Sequence, residues 1–154
     1  MNPHRAAMTC VTGFLLRSSA VACLAAGAIG APVPGEPLDP EKAFPATAHL
    51  GNEGIDIRFR ILDGYYLYGN RFRLETDPGL PLGPAKIPVG ETKDDPFIGK
   101  TQILRDAALL QLPFTGRPAP GSYAVKVTAQ GCAEEKVCYA PFTQVLRVRV
   151  PANP

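Results

Sequence analysis

The sequence predicts an all-β domain built as an antiparallel β-sandwich, and three observations support this fold class. Several segments alternate apolar and polar residues with a period of two, as strands do when they bury one face. The chain contains 17 Pro and 15 Gly, which suit the turns between short strands. No stretch beyond the first 31 residues keeps a helical period over about 11 residues. Short strands separated by turn signals favour two packed antiparallel sheets.

The folded domain is expected to span residues 49–151, as one unit without an internal repeat. Residues 55–61 alternate strictly and predict a half-buried strand, and Asp63-Gly64 then marks a turn. A strand rich in aromatic residues is expected over residues 65–74. Residues 76–96 hold five prolines and predict loops around short edge strands. Later strands are expected at residues 109–114, 123–129 and 146–150.

The first 31 residues have the composition of a cleaved secretory signal peptide. Arg17 precedes a small, apolar run, no acidic residue occurs before Glu36, and Ala26-Gly27-Ala28 fits a small-x-small cleavage site. A membrane anchor is the alternative, but the apolar run is shorter than the ~20 residues that a spanning helix needs. Lipid attachment at Cys23 is disfavoured because Ala-Val-Ala-Cys is a poor lipid-attachment sequence. We therefore expect export.

The segment after the signal, residues 32–48, contains five prolines and predicts an extended N-terminal arm rather than a packed element. Loss of the signal would remove Arg5 and Arg17 from the 16 Lys and Arg, leaving them equal in number to the 14 Asp and Glu. A net charge near zero gives no basic patch. Nucleic acids and anionic membrane surfaces are therefore not expected as partners.

Several chemistries lack the residues they need. Ser122 is the only serine after the signal, which argues against serine hydrolysis. Zinc requires three or four ligands, and the mature chain offers only Cys132, Cys138 and His49. We therefore expect no metal and no cofactor. Asp94-Asp95 could be a catalytic carboxylate pair, but adjacent residues on a strand point apart, so a solvated loop is the preferred interpretation.

Cys132 and Cys138 are the only cysteines beyond the predicted signal. A pair of cysteines in an exported chain is expected to oxidise. Cys132 ends one predicted strand and Cys138 begins the next, with five residues between them. Residues opposite each other on antiparallel strands have Cα atoms roughly 4.5–5.5 Å apart, and a disulfide requires about 4.4–6.8 Å. Bridging is therefore geometrically feasible.

Two roles for this bond are open, and a structural disulfide is the usual one. Closing a loop of about seven residues contributes only about 2–2.5 kcal/mol, and less in a hairpin that its ladder already holds. A local pair is better placed for exchange, because both sulfurs can lie near one surface. Glu134 and Glu135 would oppose formation of a thiolate and Lys136 would favour it. The spacing alone favours the structural role, and the small gain from closing so short a loop tilts the interpretation toward exchange.

The chain contains three motifs in order: Asp63-Gly64-Tyr65-Tyr66-Leu67-Tyr68, Asp95-Pro96-Phe97-Ile98-Gly99-Lys100, and Gly131-Cys132-x5-Cys138-Tyr139 with Pro141 soon after. Over about residues 41–150 it resembles the N-terminal periplasmic domain of the DsbD family of transmembrane disulfide reductases. The resemblance implies an immunoglobulin-like sandwich with the cysteine pair at one end. It also implies a periplasmic domain that takes electrons from a membrane reductase and reduces thioredoxin-fold proteins, including disulfide isomerases.

The resemblance also assigns roles to individual residues. Cys138 matches the cysteine that forms the mixed disulfide with partners, and Cys132 matches its resolving mate. The segment from Asp95 to Gly99 matches a cap loop in which Phe97 covers the disulfide. Two further residues match the tyrosines that line the site: Tyr66 and Tyr68.

This chain departs from the family pattern within the cap. Pro96 stands where the family often has an acidic residue, and Ile98 stands where it has an aromatic one. The polar contacts and the mobility of the cap are therefore expected to differ. From the residues alone, an ordinary core position is the alternative for Phe97, and sandwich packing is the alternative for Tyr66 and Tyr68.

We therefore predict a periplasmic thiol–disulfide exchange protein, a dithiol/disulfide carrier of the protein-disulfide reductase type. After the signal the chain has no membrane span and no Cys-x-x-Cys, so a separate membrane reductase or similar donor is expected to supply electrons. The alternative is a non-catalytic β-sandwich with a structural disulfide. Such a domain would bind a protein or peptide through Tyr66, Tyr68 and Phe97.

Overall fold

A computed structural model describes residues 35–96 and 98–152. These residues contain one short helix and eleven strands: α1 (Pro40–Ala43), β1 (Ala46–Leu50), β2 (Gly54–Arg60), β3 (Tyr65–Tyr68), β4 (Arg73–Thr76), β5 (Glu91–Asp95), β6 (Gly99–Leu104), β7 (Ala107–Pro113), β8 (Gly121–Ala129), β9 (Gly131–Ala133), β10 (Val137–Cys138) and β11 (Phe142–Val150). The signal predicted for residues 1–31, with Cys10 and Cys23, lies outside the described residues.

The strands form three antiparallel sheets. One has the order β1-β2-β7, a second has the order β11-β8-β4, and the largest has the order β10-β9-β3-β6-β5. The longest pairing joins β8 to β11 from Gly121↔Val150 to Phe142↔Ala129. The predicted edge position of strands within residues 76–96 is confirmed, because β5 lies at the outer edge of the five-stranded sheet.

The core lies between sheets whose inward residues alternate with solvent-facing ones. Along β2, Ile55, Ile57 and Phe59 are fully buried, while Arg58 and Arg60 are exposed. The inward residues of β7, β8 and β11 complete the same cluster: Ala108, Leu110, Leu112, Val125, Val127, Ala129, Val148 and Val150. Period-two alternation on several strands thus builds one apolar layer, and the predicted antiparallel sandwich is confirmed.

The aromatic strand predicted over residues 65–74 is wrong in its extent. It ends at Tyr68, and the chain turns at Gly69 and Asn70 before β4 begins in a different sheet. After β3 ends, the N–H of Gly69 still donates to the carbonyl of Gln102 on β6 at 2.8 Å, so hydrogen bonding within the five-stranded sheet extends one residue beyond Tyr68. Apolar alternation does not reveal that the chain passes from one sheet to another, because the residues before and after the turn both bury one face.

The arm predicted for residues 32–48 is also wrong from α1 onward. A proline opens the helix, where its missing N–H costs no hydrogen bond. Ala43 and Phe44, at the end of the helix and just after it, are completely buried. The Phe44 ring lies 5.4–6.0 Å from three other aromatic rings, those of Tyr65, Tyr139 and Phe142. The proline-rich composition therefore conceals a central core residue.

A glutamine side chain fastens this segment to the last strand. Gln144 on β11 donates through Nε2 to the carbonyl of Phe44 at 2.7 Å and accepts from the N–H of Ala46 at 3.2 Å. The amide thus satisfies both a donor and an acceptor of the backbone, as a neighbouring strand would.

Across residues 35–96 and 98–152, no helix has the length and apolar character needed to cross a membrane.

We expect Phe44→Ala to lower the free energy of unfolding by about 3–5 kcal/mol, because it removes a fully buried ring from an aromatic cluster. Urea denaturation of the oxidised protein measures the change. Glu41→Ala is the matched control, since Glu41 is exposed in the same segment and should change stability by less than about 0.5 kcal/mol. Equal effects of the two substitutions would contradict the burial of this segment.

Candidate functional site

The two cysteines face each other across the hairpin of β9 and β10. They are directly paired, their Cα atoms are 4.0 Å apart, and a disulfide joins Cys132 to Cys138. The N–H of Tyr139 donates to the carbonyl of Gly131 at 2.9 Å, so hydrogen bonding flanks the cysteine pair rather than crossing it. Such non-hydrogen-bonded pairs bring side chains closest together. The predicted bridge across a short hairpin is therefore present.

The two sulfur-bearing residues differ sharply in exposure. Cys132 is 1% exposed, because β9 lies inside the sheet and Cys132 pairs with Tyr66 of β3. Cys138 is exposed, because β10 is the edge strand of the same sheet. A thiolate that approaches from solvent can therefore reach the sulfur of Cys138, whereas the sulfur of Cys132 is shielded.

Two tyrosines of β3 form the wall behind the disulfide. Tyr66 and Tyr68 are 4% and 5% exposed, and with Ile103 and Cys132 they form a buried cluster separate from the main core. Their rings meet edge to face with centroids 5.5 Å apart. The structure thus brings both predicted tyrosines to the disulfide.

The Tyr68 hydroxyl connects the sulfurs to a buried carboxylate. Its O–H donates to Oδ2 of Asp95 at 2.7 Å, and its oxygen lies 3.3 Å from Sγ of Cys132 and 3.8 Å from Sγ of Cys138. Burial first, and then the hydrogen bond to Asp95, raise the pKa of Tyr68 far above its ordinary value. The phenol therefore stays protonated and its lone pairs remain directed toward the sulfurs.

The predicted cap segment is the tip of the β5–β6 hairpin. Asp95 pairs with Gly99, which has a positive φ of 74°, and the Oδ1 of Asp95 accepts the N–H of Ile98 at 3.2 Å. Asp95 is 6% exposed, so the solvated loop expected for Asp94-Asp95 is wrong: both residues lie on β5 and Asp95 is buried. Pro96 lies beside the disulfide. Phe97, the predicted covering aromatic, lies outside the described residues.

A group of charged residues that no sequence motif connects lies beside the ring of Tyr66. Lys93 Nζ and Arg105 Cζ lie 5.3 and 5.5 Å from the centroid of its ring. Arg105 donates two hydrogen bonds to the Glu134 carboxylate at 2.6 and 2.9 Å. These bonds lower the pKa of Glu134, and Lys93 lies 3.8 Å from the same carboxylate. Of the two negative charges predicted to oppose a thiolate, that of Glu134 is therefore balanced.

A shallow cavity of about 530 Å³ opens over the disulfide. Its lining combines the cysteine hairpin, the cap and the tyrosine wall: Tyr66, Lys93, Asp95, Pro96, Cys132, Ala133, Glu134, Glu135, Lys136, Val137 and Cys138. In the described part of the chain no three His, Cys, Asp or Glu side chains converge to hold a metal ion. What the site offers chemically is a disulfide with one accessible sulfur and a hydrogen-bonding phenol beside it.

Fold and site together define a class of protein: a β-sandwich that carries a disulfide hairpin at the edge of its largest sheet, with one sulfur buried and the other accessible. The family model described as "Thiol:disulfide interchange protein DsbD, N-terminal" matches residues 35–149. The chain belongs to this DsbD N-terminal domain family. The immunoglobulin-like fold that the resemblance implied is thereby confirmed.

Curated relatives agree with this membership. The chain is 39% identical over 107 residues to the thiol:disulfide interchange protein DsbD of Neisseria meningitidis serogroup A, covering 68% of this chain and 17% of the relative. It is 32% identical over 121 residues to DsbD of Escherichia coli strain K12, covering 79% of this chain and 21% of the relative. The chain thus spans about a fifth of the length of these proteins.

Solved structures show the same domain. The crystal structure of the N. meningitidis DsbD N-terminal domain in its reduced form superimposes with a TM-score of 0.67 at 35% identity, covering 74% of this chain and 90% of that one. The complex between the DsbD N-terminal and PilB N-terminal domains of N. meningitidis gives a TM-score of 0.62 at 34% identity, covering 71% and 85%.

We expect Asp95→Asn to lower the pH at which Tyr68 ionises in the oxidised protein, because a carboxylate beside a phenol disfavours the phenolate. Since the folded-state pKa of Tyr68 is raised, its contribution to stability is complete below about pH 10 and is lost as the pH rises further. The loss begins at the unfolded-state pKa in both proteins, and Asp95→Asn should end it at a lower pH. Near-ultraviolet titration of phenolate absorbance, assigned with Tyr68→Phe, measures the ionisation.

Asp94→Asn is the control, because Asp94 is the exposed neighbour of Asp95 on the same strand. It removes one negative charge nearby without touching the bond to Tyr68. If both substitutions shifted the titration equally, the hydrogen bond between Tyr68 and Asp95 would not be the cause.

Proposed function

We propose that this domain is a thiol–disulfide exchange carrier that accepts electrons from a membrane disulfide reductase and passes them to thioredoxin-fold proteins. The single observation that carries the proposal is the asymmetry of the bonded pair, with Cys132 at 1% exposure and Cys138 exposed. A purely structural bond gains nothing from one accessible sulfur, whereas exchange requires it. Membership of the DsbD N-terminal domain family supports the same activity.

In the electron-donating direction the dithiol form starts the reaction. The Cys138 thiolate attacks one sulfur of the partner's disulfide, which forms a mixed disulfide and releases the partner's other sulfur as a thiolate. The Cys132 thiolate then attacks the sulfur of Cys138, so the partner leaves as a dithiol and the bond seen in this structure reforms. Two electrons pass to the partner, and the protons come from the two thiols.

Tyr68 and Asp95 give this order of events a physical basis. Because the Tyr68 O–H is donated to Asp95, its oxygen is free to accept a hydrogen bond from the Cys132 thiol, 3.3 Å away, once the disulfide is open. That bond stabilises the protonated form of Cys132. Cys138, which is exposed to water, would therefore ionise and react first.

The tip of the β5–β6 hairpin would act as the cap over the sulfurs. Asp95 ties the tip to the tyrosine wall, and Phe97 is proposed as the aromatic that shields the disulfide until a partner docks. A docking partner would meet two exposed apolar side chains, Ile98 at 41% and Val137 at 43% exposure. A related DsbD N-terminal domain forms a complex with a PilB N-terminal domain, which supports docking of a partner domain here.

The proposed site of action is the periplasm. Residues 1–31 have the composition of a signal peptide, and export would deliver the domain to a compartment where thioredoxin-fold partners exchange disulfides. The folded domain would begin before residue 49, since its core includes Phe44.

With Cys10 and Cys23 replaced by Ser, we expect Cys132→Ala to trap a mixed disulfide with an oxidised thioredoxin through Cys138. The reduced variant should also react with the small aromatic disulfide dithiobisnitrobenzoate at least about tenfold faster than the Cys138→Ala variant, because Cys132 is buried. Non-reducing electrophoresis and stopped-flow absorbance are the measurements.

The Cys138→Ala variant is the matched control, because it keeps one thiol in the same hairpin. Trapping through Cys132 alone would reverse the two roles. Absence of trapping in both variants would reject exchange with thioredoxin-fold proteins.

The redox potential separates exchange from a structural bond. We expect the Cys132/Cys138 couple to equilibrate with glutathione at a potential above about −300 mV, the level below which structural disulfides fall. Alkylation of free thiols across a series of glutathione buffers, followed by mass spectrometry, measures the fraction reduced. A potential well below that level would favour the alternative of a binding module with a structural disulfide.

A further inference from the structure

Residues 35–39, which we call the N-terminal strap, lie against the hairpin that carries the disulfide. The hydroxyl of Tyr139, the residue after Cys138, donates to the carbonyl of Leu38 at 2.6 Å. The N–H of Leu38 in turn donates to the hydroxyl of Tyr65 at 2.9 Å. Both polar groups of one strap residue are therefore held by tyrosines that the exchange mechanism does not use.

The strap and the disulfide lie on opposite faces of the five-stranded sheet. Alternation along β3 directs Tyr66 and Tyr68 to the side of Cys132, where they form a separate buried cluster. Tyr65 and Tyr139 instead pack against the main core. The strap can therefore act on the hairpin from behind without contacting either sulfur.

The strand that carries Cys138 has few other restraints. β10 has two residues and, within the described part of the chain, pairs only with β9. The adjoining Tyr139 is held at four points: its N–H bonds to Gly131, its carbonyl accepts from Gln130 at 3.1 Å, its ring meets Phe44 edge-on at 6.0 Å, and its hydroxyl reaches the strap. None of these four contacts is made by a sulfur atom.

A second contact extends the strap along the same hairpin. Lys136, in the turn between the two cysteines, donates from Nζ to the carbonyl of Gly35 at 3.0 Å. The strap thus bridges the turn and the end of the hairpin, on either side of Cys138. Burial is the main cause that raises the pKa of Tyr139 to about 12, so its hydroxyl remains a donor at neutral pH.

We propose that the N-terminal strap is a positioning element that holds Cys138 in register with Cys132 in the dithiol form, and so sets the stability of the disulfide. The proposal rests on the proposed function only in that the bond opens and closes. Closure by glutathione disulfide oxidises the two thiols, forms one S–S bond and yields two glutathione thiols, so two electrons and two protons are transferred.

The effect follows from the effective concentration of one thiol at the other. A hairpin held by the strap samples fewer conformations, so the cysteines meet more often and the equilibrium constant for closure is larger. By thermodynamic linkage, contacts that favour closure are formed more completely in the disulfide form than in the dithiol form, so weakening them must disfavour the disulfide. Tyr65 and Tyr139 are therefore positioning residues.

The test compares the glutathione equilibrium of Tyr139→Phe and Tyr65→Phe with that of the parent, in the full chain carrying Cys10→Ser and Cys23→Ser. Each substitution deletes one hydroxyl and leaves its ring in the core. We expect the equilibrium constant for disulfide formation to fall about three- to tenfold, which corresponds to a potential about 15–30 mV less negative. Thiol alkylation and mass spectrometry give the constant.

Tyr123→Phe is the matched control, because Tyr123 also donates its hydroxyl to a backbone carbonyl, that of Ala119 at 2.8 Å, outside the hairpin and the strap. It should leave the equilibrium constant for disulfide formation unchanged, even if it lowers the free energy of unfolding in urea as much as Tyr139→Phe or Tyr65→Phe does. Equal constants for all three variants and the parent would overturn the proposal.

Failure of the strap proposal is distinguishable from failure of the proposed function. The parent's own potential and mixed-disulfide trapping test the function, whereas the difference between variants tests the strap. A parent that exchanges normally, with variants that share its potential, would reject the strap alone.

Discussion

The pairing of β3 with β9 is the constraint on which the site depends. It sets Tyr66 opposite Cys132 inside the sheet, and the two-residue period of β3 then places Tyr68 beside the same sulfur. A shift of the pairing by one residue would send Tyr65 and Leu67 to the disulfide and turn the site tyrosines into the core. The register is strongly specified, because Leu67 is fully buried.

The same sheet separates reactivity from stability. The disulfide closes a short loop and contributes only about 2–2.5 kcal/mol in the chain-entropy model, so the apolar cluster of the sandwich must carry most of the folding free energy. The bond can then open without unfolding the domain. Its position at the edge strand β10 exposes one sulfur while the buried partner stays on β9.

The two carboxylates near the sulfurs, those of Glu134 and Asp95, are held by different kinds of partner. Glu134 lines the cavity over the disulfide, and its charge is compensated there by Arg105 and Lys93. Asp95 instead acts through the Tyr68 phenol, which stays protonated because burial and the neighbouring carboxylate both raise its pKa. One carboxylate is thereby neutralised by cations, and the other orients a neutral hydrogen-bonding group toward the sulfurs.

The sequence by itself determined the β-sandwich and the cysteine hairpin, because alternation, turn residues and short spacing are local properties of the chain. The site tyrosines, Tyr66 and Tyr68, came instead from the resemblance to the DsbD N-terminal domain, since the residues alone favour sandwich packing for them. The sequence missed the burial of Phe44, since proline content is uninformative about what a segment packs against. It also could not connect Lys93 and Arg105 to Glu134, which come together only where three separate stretches of chain meet. Which sulfur is exposed was decided by the order of strands in the sheet, a consequence of long-range pairing that no local pattern encodes.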